Sequence, residues 1–160
     1  MDTAADTFAH INQVTTELIN FLYDKYKNSD NKRKKSVVTY LKNRYNVENL
    51  RESSPLNIEK DTSYTINKGD IIAICIRSSK LFNQIHDTET LIFVVLHEIT
   101  HISIESYDHP DEFWEVFKFI LIEAEENGFY KSPNFSKNPQ EYCGIKINYN
   151  PRYDNAVKLL

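Results

Sequence analysis

His97 and His101 stand four residues apart with a glutamate beside the first, in the run His97-Glu98-Ile99-Thr100-His101. On a helix, residues at i and i+4 share a face with Cβ atoms roughly 5–6 Å apart. Two imidazole nitrogens so placed can reach a single zinc ion at about 2.0–2.1 Å. Glu98 is turned about 100° around the helix from His97, which puts its carboxylate beside the ion's water instead of on the ion. That is the position of a general base in a hydrolytic zinc site. The competing reading, two core histidines without metal, leaves a buried imidazole pair and a carboxylate in need of partners.

A catalytic zinc keeps three protein ligands and one open position. The candidate for the third is His109, eight residues after His101 and directly before Pro110. A connection of that length folds back over the site. A helix start more often carries Ser, Thr, Asp or Asn, so a histidine there asks for a reason. Glu105, Glu112 and Glu115 are the alternatives.

The elements that must position these groups follow from hydrophobic periodicity. Leu91-Ile92-Phe93-Val94-Val95-Leu96 before the motif and Ile99, Ile102 and Ile104 after it make the zinc helix apolar nearly all round, hence central and buried. Asp87-Thr88-Glu89 supplies its cap and first-turn acids. Residues 7–26 set Ile11, Val14, Leu18 and Leu22 near one face, with Asp6 or Thr7 as cap, which reads as a scaffold helix. A second helix is expected over 37–50, closed off by Pro55. The β-branched runs 64–66 and 71–76, separated by Asn67-Lys68-Gly69-Asp70, form a hairpin whose second strand is apolar on both faces and therefore covered. A last helix runs from Pro110 through Phe113, Phe117, Ile120 and Ala124 to Gly128 just past its end. Pro133, Pro139 and Pro151 punctuate a tail in which 143–147 reads as one short strand.

At 160 residues the chain fits one domain, spanning 1–160, with a core of its own. Cys75 and Cys143 are too few for a disulfide framework, and no N-terminal stretch has the order of a signal peptide, so an intracellular, reducing setting is expected. Cys143 is expected as a plain buried thiol, with an inhibitory contact to zinc as the alternative. No apolar run reaches the length of a membrane span, so no membrane partner is expected. The net charge of −4 argues against a dedicated nucleic-acid binder. Lys32-Arg33-Lys34-Lys35 is the dense exception, read either as a solvated interhelical loop or as a phosphate-contacting patch or nuclear-import signal.

Neighbouring motif families are set aside by spacing. After His101 comes Ile-Ser-Ile-Glu-Ser-Tyr-Asp-His, without the glycine of the metzincin continuation. The upstream Cys75 lies in a strand pattern between two isoleucines and not in the Glu-Gly-Cys context of peptide deformylases.

His97-Glu98-Ile99-Thr100-His101, then His109 followed after three residues by Phe113-Trp114, resembles the WLM metalloprotease family and its SprT-like relatives. The likeness covers mainly residues 71–130. It implies His97, His101 and His109 as Zn2+ ligands, Glu98 as catalytic base, and a small zinc-dependent protease. In better-known members it also implies degradation of proteins crosslinked to DNA, promoted by DNA. The zinc ribbon and extended C-terminal tail of longer members are not seen, and compact forms of this kind are expected in large DNA viruses as well as in cells.

The fold class expected is α+β: a zincin-like metalloprotease domain with N-terminal helices, a small sheet, and the zinc helix followed by a ligand-bearing helix. The function expected is a zinc-dependent endopeptidase of the nucleus or cytoplasm. Its partners are a protein or peptide substrate and DNA, the latter through Lys32, Arg33, Lys34 and Lys35. The other classes left open are a zinc-structured, non-proteolytic nucleic-acid-binding module and another metal-dependent hydrolase, an amidase or nuclease. Two further expectations concern substrate. A free edge on the strand at 71–76 would let it add as an extended strand, and Tyr142, Tyr149 or Tyr153 are candidates for oxyanion support.

Overall fold

A computed structural model of the chain describes residues 3–53, 63–78 and 84–160. Two helices come first, α1 (Thr3–Tyr26) and α2 (Lys32–Arg44), followed by the short strand β1 (Leu50–Glu52). Strands β2 (Tyr64–Ile66) and β3 (Ile71–Ile74) precede the helices α3 (Thr88–Ile102) and α4 (Asp111–Glu126). A second hairpin, β4 (Gln140–Tyr142) and β5 (Ile145–Ile147), closes the order of strands. The architecture is α+β with four helices and small sheets.

α3 is the axis of the fold. Its residues Thr90 to Leu96, together with Ile99, Thr100 and Ile102, are buried, and it packs against α1, α2, α4, β2 and β3. A helix apolar all round has no face for solvent and must be enclosed. Asp87 caps it as the sequence indicates: one carboxylate oxygen accepts from the Thr90 amide (2.9 Å) and the other from the Thr90 hydroxyl (2.7 Å). In the three-stranded sheet, ordered β1-β3-β2, β3 lies in the middle, parallel to β1 and antiparallel to β2. That central place is why β3 is apolar on both faces. It also overturns the expectation of a free edge on this strand, because both its edges are paired; among the described residues the outer strands are β1 and β2.

Other boundaries differ from the expected ones for local reasons. α1 begins at Thr3, so Asp6 and Thr7 lie inside its first turns and do not cap it. α2 begins at Lys32 instead of residue 37, since the Asn31 side chain accepts from the Lys34 amide (3.1 Å) and starts the helix there. The basic run is therefore the first turn of a helix, not a loop. Residues 47–50, read as helix, form a 3-10 turn (Val47–Asn49) and the first residue of β1. Pro55 lies outside the described residues. Pro110 sits at the cap position of α4 with no side-chain bond to give, and Gly128 follows the helix at φ +76°. Residues 143–147, read as one strand, are instead the turn Cys143-Gly144 followed by β5.

The two cysteines are a further correction. Cys75, just beyond β3, and Cys143, at the tip of the β4–β5 hairpin, form a disulfide with their Cα atoms 6.4 Å apart. Cys143 is neither a free thiol nor a metal ligand. The expectation of a reducing setting loses the support it took from two unpaired cysteines.

Candidate metal centre

α3 presents His97 and His101 on one face, and the connection from α3 to α4 brings His109 back to them. Across the three residues one ring nitrogen from each lies within 4.8 Å of the others, and the Nε2 atoms of His97 and His109 are 3.1 Å apart. His97 and His101 are half-buried and His109 is exposed. Burial, then the neighbouring imidazoles, pushes the pKa of His97 down to about 3. Burial, His109 and Lys68 push that of His101 down to about 4, against an opposing pull from Asp108. His109 is lowered by burial, again opposed by Asp108. Three neutral imidazoles with converging nitrogens are the donor set that zinc accepts, so the residues present fit the ion.

Aromatic packing fixes the rings. Phe113, at the start of α4, lies 5.0 Å from His97, 4.5 Å from His101 and 4.7 Å from His109, centroid to centroid. Trp114 stacks on His109 at 5.7 Å with planes 28° apart. The carboxylates weighed as alternative third ligands are engaged elsewhere. Glu105 pairs with Arg44 (2.9 Å), Glu115 pairs with Arg33 (2.9 Å), and Glu112 accepts from the Ser106 hydroxyl (3.1 Å).

Glu98 is buried beside this cluster. Its Oε2 accepts a hydrogen bond from the Thr65 hydroxyl at 2.8 Å. Thr65 is the middle residue of β2, the edge strand, so the sheet holds the carboxylate against α3. This contact was missed in the sequence; the only signal for it is a polar β-branched residue at the centre of a short strand. A second missed pair clamps the end of α3, where unpaired carbonyls need partners. Arg44 donates to the carbonyls of Ile102 (3.1 Å) and Ile104 (3.3 Å). Lys68 donates to the His101 carbonyl (2.8 Å) and to that of Ser106. Lys68 reaches there from a turn that Gly69 permits: at φ +120°, a Cβ on Gly69 would lie 2.7 Å from the Arg44 carbonyl oxygen. The path of the chain from His101 toward His109 is thus held at both ends.

Two hollows meet at Glu98. A cleft of about 450 Å³ contains the three histidines and is bordered by Ser63, by Tyr64 and Thr65 of the edge strand, and by Lys68, Tyr107 and Asp108. An adjoining chamber of about 280 Å³ shares His97 and Glu98 with it and runs between α3, α4 and the hairpin. The tyrosines considered for oxyanion support are occupied. The Tyr142 hydroxyl accepts from the Cys75 amide (2.9 Å) and shares a hydrogen bond with Ser63 (2.7 Å). Tyr149 donates to Asp154 (2.8 Å) and Tyr153 to the Ser132 carbonyl. The basic run lies elsewhere, on the first turn of α2. Arg33 is committed to Glu115 and the Lys34 ammonium lies over the rings of Tyr26 (5.3 Å) and Phe119 (5.6 Å); Lys32 and Lys35 are exposed.

The buried helix carrying two histidines four apart, the third histidine from the following connection and the carboxylate beside them give an α+β molecule with a histidine triad that could hold a metal ion. The chain belongs to the WLM domain family, whose model matches residues 27–158. This is a SprT-like family of zincin type, associated with metalloprotease activity and in general zinc-dependent. Among its relatives, protein R325 of Acanthamoeba polyphaga mimivirus, itself uncharacterized, is 34% identical over 141 residues, covering 87% of this chain and 70% of the relative. Uncharacterized protein 136R of Invertebrate iridescent virus 6 is 38% identical over 87 residues, 53% of this chain and 47% of its own. Uncharacterized protein 042R of Invertebrate iridescent virus 3 is 37% identical over 90 residues, 55% of this chain and 53% of its own. All three come from large DNA viruses. No solved structure matches the chain. Among the described residues no helix is long and apolar enough to cross a membrane.

Proposed function

We propose that the chain is a zinc-dependent endopeptidase in which His97, His101 and His109 hold the ion and Glu98 is the general base. The observation that carries this reading is the convergence of three neutral imidazole nitrogens beside a buried carboxylate held by Thr65. Bound there, zinc supplies Lewis acidity, which lowers the pKa of water toward about 7 and polarises a carbonyl. Glu98 accepts the proton of the attacking water at its carboxylate and returns it to the leaving amine. Thr65 holds one oxygen of Glu98 by a hydrogen bond, and Glu98 lines the cleft. The outer strand β2 borders the same cleft, and an extended polypeptide pairing beside it in β fashion would carry its carbonyls past Glu98. That favours unfolded or locally unfolded protein as substrate.

A role for DNA rests on Lys32 and Lys35. The first turn of α2 carries four cations where the helix dipole favours acids, and these two are exposed. Phosphate contacts there would bring DNA-bound or DNA-crosslinked proteins to the enzyme.

Two readouts test the assignment. Equilibrium dialysis should give one zinc per wild-type chain and a much weaker site in His109→Ala, because a third ligand contributes directly to metal affinity. Cleavage of an unfolded polypeptide should stop on chelation and return with zinc. Zinc affinity untouched by His109→Ala, or cleavage indifferent to chelation, would overturn it.

A further inference from the structure

The chamber beside Glu98 has a composition that the hydrolytic site does not require. Phe93 and Val94 of α3, Trp114 and Phe117 of α4, and Ile147 and Tyr149 of the hairpin segment line it. Phe93 and Phe117 pack at 5.1 Å, and Tyr149 stands edge-on to Trp114 at 5.4 Å. Its two tyrosine hydroxyls are already spent: Tyr142 on Cys75 and Ser63, Tyr149 on Asp154. Ser63, Glu98, Lys146 and Asn148 add polar groups to a lining that is otherwise mostly aromatic and aliphatic, and an apolar guest gains with every carbon it buries against that wall. The volume, about 280 Å³, exceeds the roughly 150 Å³ in which an apolar cavity holds benzene.

We infer that this chamber is a side-chain subsite that makes the enzyme cut before a large aromatic or aliphatic residue. The inference rests on the proposed peptidase reading and deepens it. Glu98 lines both the histidine cleft and the chamber, and the leaving amine must come within hydrogen-bond reach of Glu98 to take its proton. The side chain attached next to that amine belongs to the residue that follows the scissile bond. Of all substrate side chains it is the one carried to the chamber's mouth. Of the three histidines only His97 lines the chamber, so a guest there does not touch His101 or His109.

Trp114 is the chain's single tryptophan and lines the chamber, so its fluorescence reports occupancy in the wild type; in the variant, which gains a second indole, binding is read by calorimetry. The test uses two short peptide hydroxamates that differ only in a benzyl or a methyl group at the position following the metal-binding end. They are titrated into zinc-loaded wild-type protein and an Ile147→Trp variant, whose new indole fills the chamber from the hairpin. The wild type should bind the benzyl compound at least about tenfold tighter, since even one methylene in an apolar pocket is worth about ten- to 200-fold. Ile147→Trp should bring the benzyl compound to the affinity of the methyl one and leave the methyl one unchanged. In a mixture of peptides, wild-type cuts should fall before Phe, Tyr, Leu and Met. The wild-type comparison stands without the variant. Equal affinity for the two compounds would overturn the subsite, even with cleavage intact. A benzyl preference without any cleavage would instead overturn the peptidase reading and leave the ligand class of the chamber standing. Binding of neither compound would overturn both.

Discussion

Glu98 and Thr65 form the smallest unit on which the proposed chemistry depends. A carboxylate on a helix can swing through several rotamers, and a hydrogen bond of 2.8 Å from a strand residue removes that freedom. Thr65→Val keeps the shape of the side chain and deletes only the bond. Turnover should fall by about ten- to 100-fold, as when partners that orient site residues are removed, with zinc content unchanged. Unaltered turnover in that variant would show that Thr65 does not orient the base. The histidines give a second expectation, for the metal-free protein. Their pKa values of about 3 and 4 lie below the ordinary 6.5, so the unfolded chain binds protons that the folded chain refuses. Stability is then complete above pH 6.5 and falls progressively as the pH drops toward about 3. Urea midpoints at pH 7 and pH 5 measure this; a higher midpoint at pH 5 would contradict it. At this scale the sequence was most informative, because ligand spacing on one helix is a local property. His109 stood out through its place before Pro110. Thr65, Arg44 and Lys68 did not, because nothing in a linear pattern says that a strand centre or a turn lysine will face a helix some 30 residues away.

Elements position the site from three sides: α3 carries the base, the α3–α4 connection carries His109, and the β4–β5 hairpin walls the chamber. The hairpin is tethered by Cys75–Cys143, which closes a span of 68 residues. Linking residues so far apart restricts the unfolded chain, and for spans of this size the effect is about 2–4 kcal/mol. The paired change of Cys75 and Cys143 to serine should lower stability by that amount, read from urea unfolding at matched zinc content. A loss below about 0.5 kcal/mol would mean that the tether contributes little beyond ordinary surface changes. Helix α3 and the β2–β3 hairpin were legible because strong apolar runs, Asp87 and the Asn67-Lys68-Gly69-Asp70 turn all agree. The start of α2 was not, since four cations at a helix N-terminus contradict the dipole preference. There the Asn31 cap, Lys34 lying over Tyr26 and Phe119, and Arg33 paired with Glu115 override it. The disulfide was invisible because pairing two cysteines requires knowing that the hairpin folds back onto the end of β3.

For the whole molecule, an acidic chain with one basic turn should respond to nucleic acid weakly and through few contacts. If Lys32 and Lys35 each meet a phosphate, log binding against log salt on duplex DNA should slope by about −0.9 per contact. Replacing both by serine should flatten that slope by about 1.8. A slope that keeps its value would assign the basic turn to solvent. The relatives in large DNA viruses share the family but lend no activity of their own, so the central claim stands on this chain's residues. It is tested most directly by kcat for cleavage of an unfolded polypeptide, wild type against Glu98→Gln, both carrying one measured zinc per chain. The account predicts a fall of about 10²–10⁴ with the metal retained. Near-equal turnover by the two zinc-loaded proteins would contradict it.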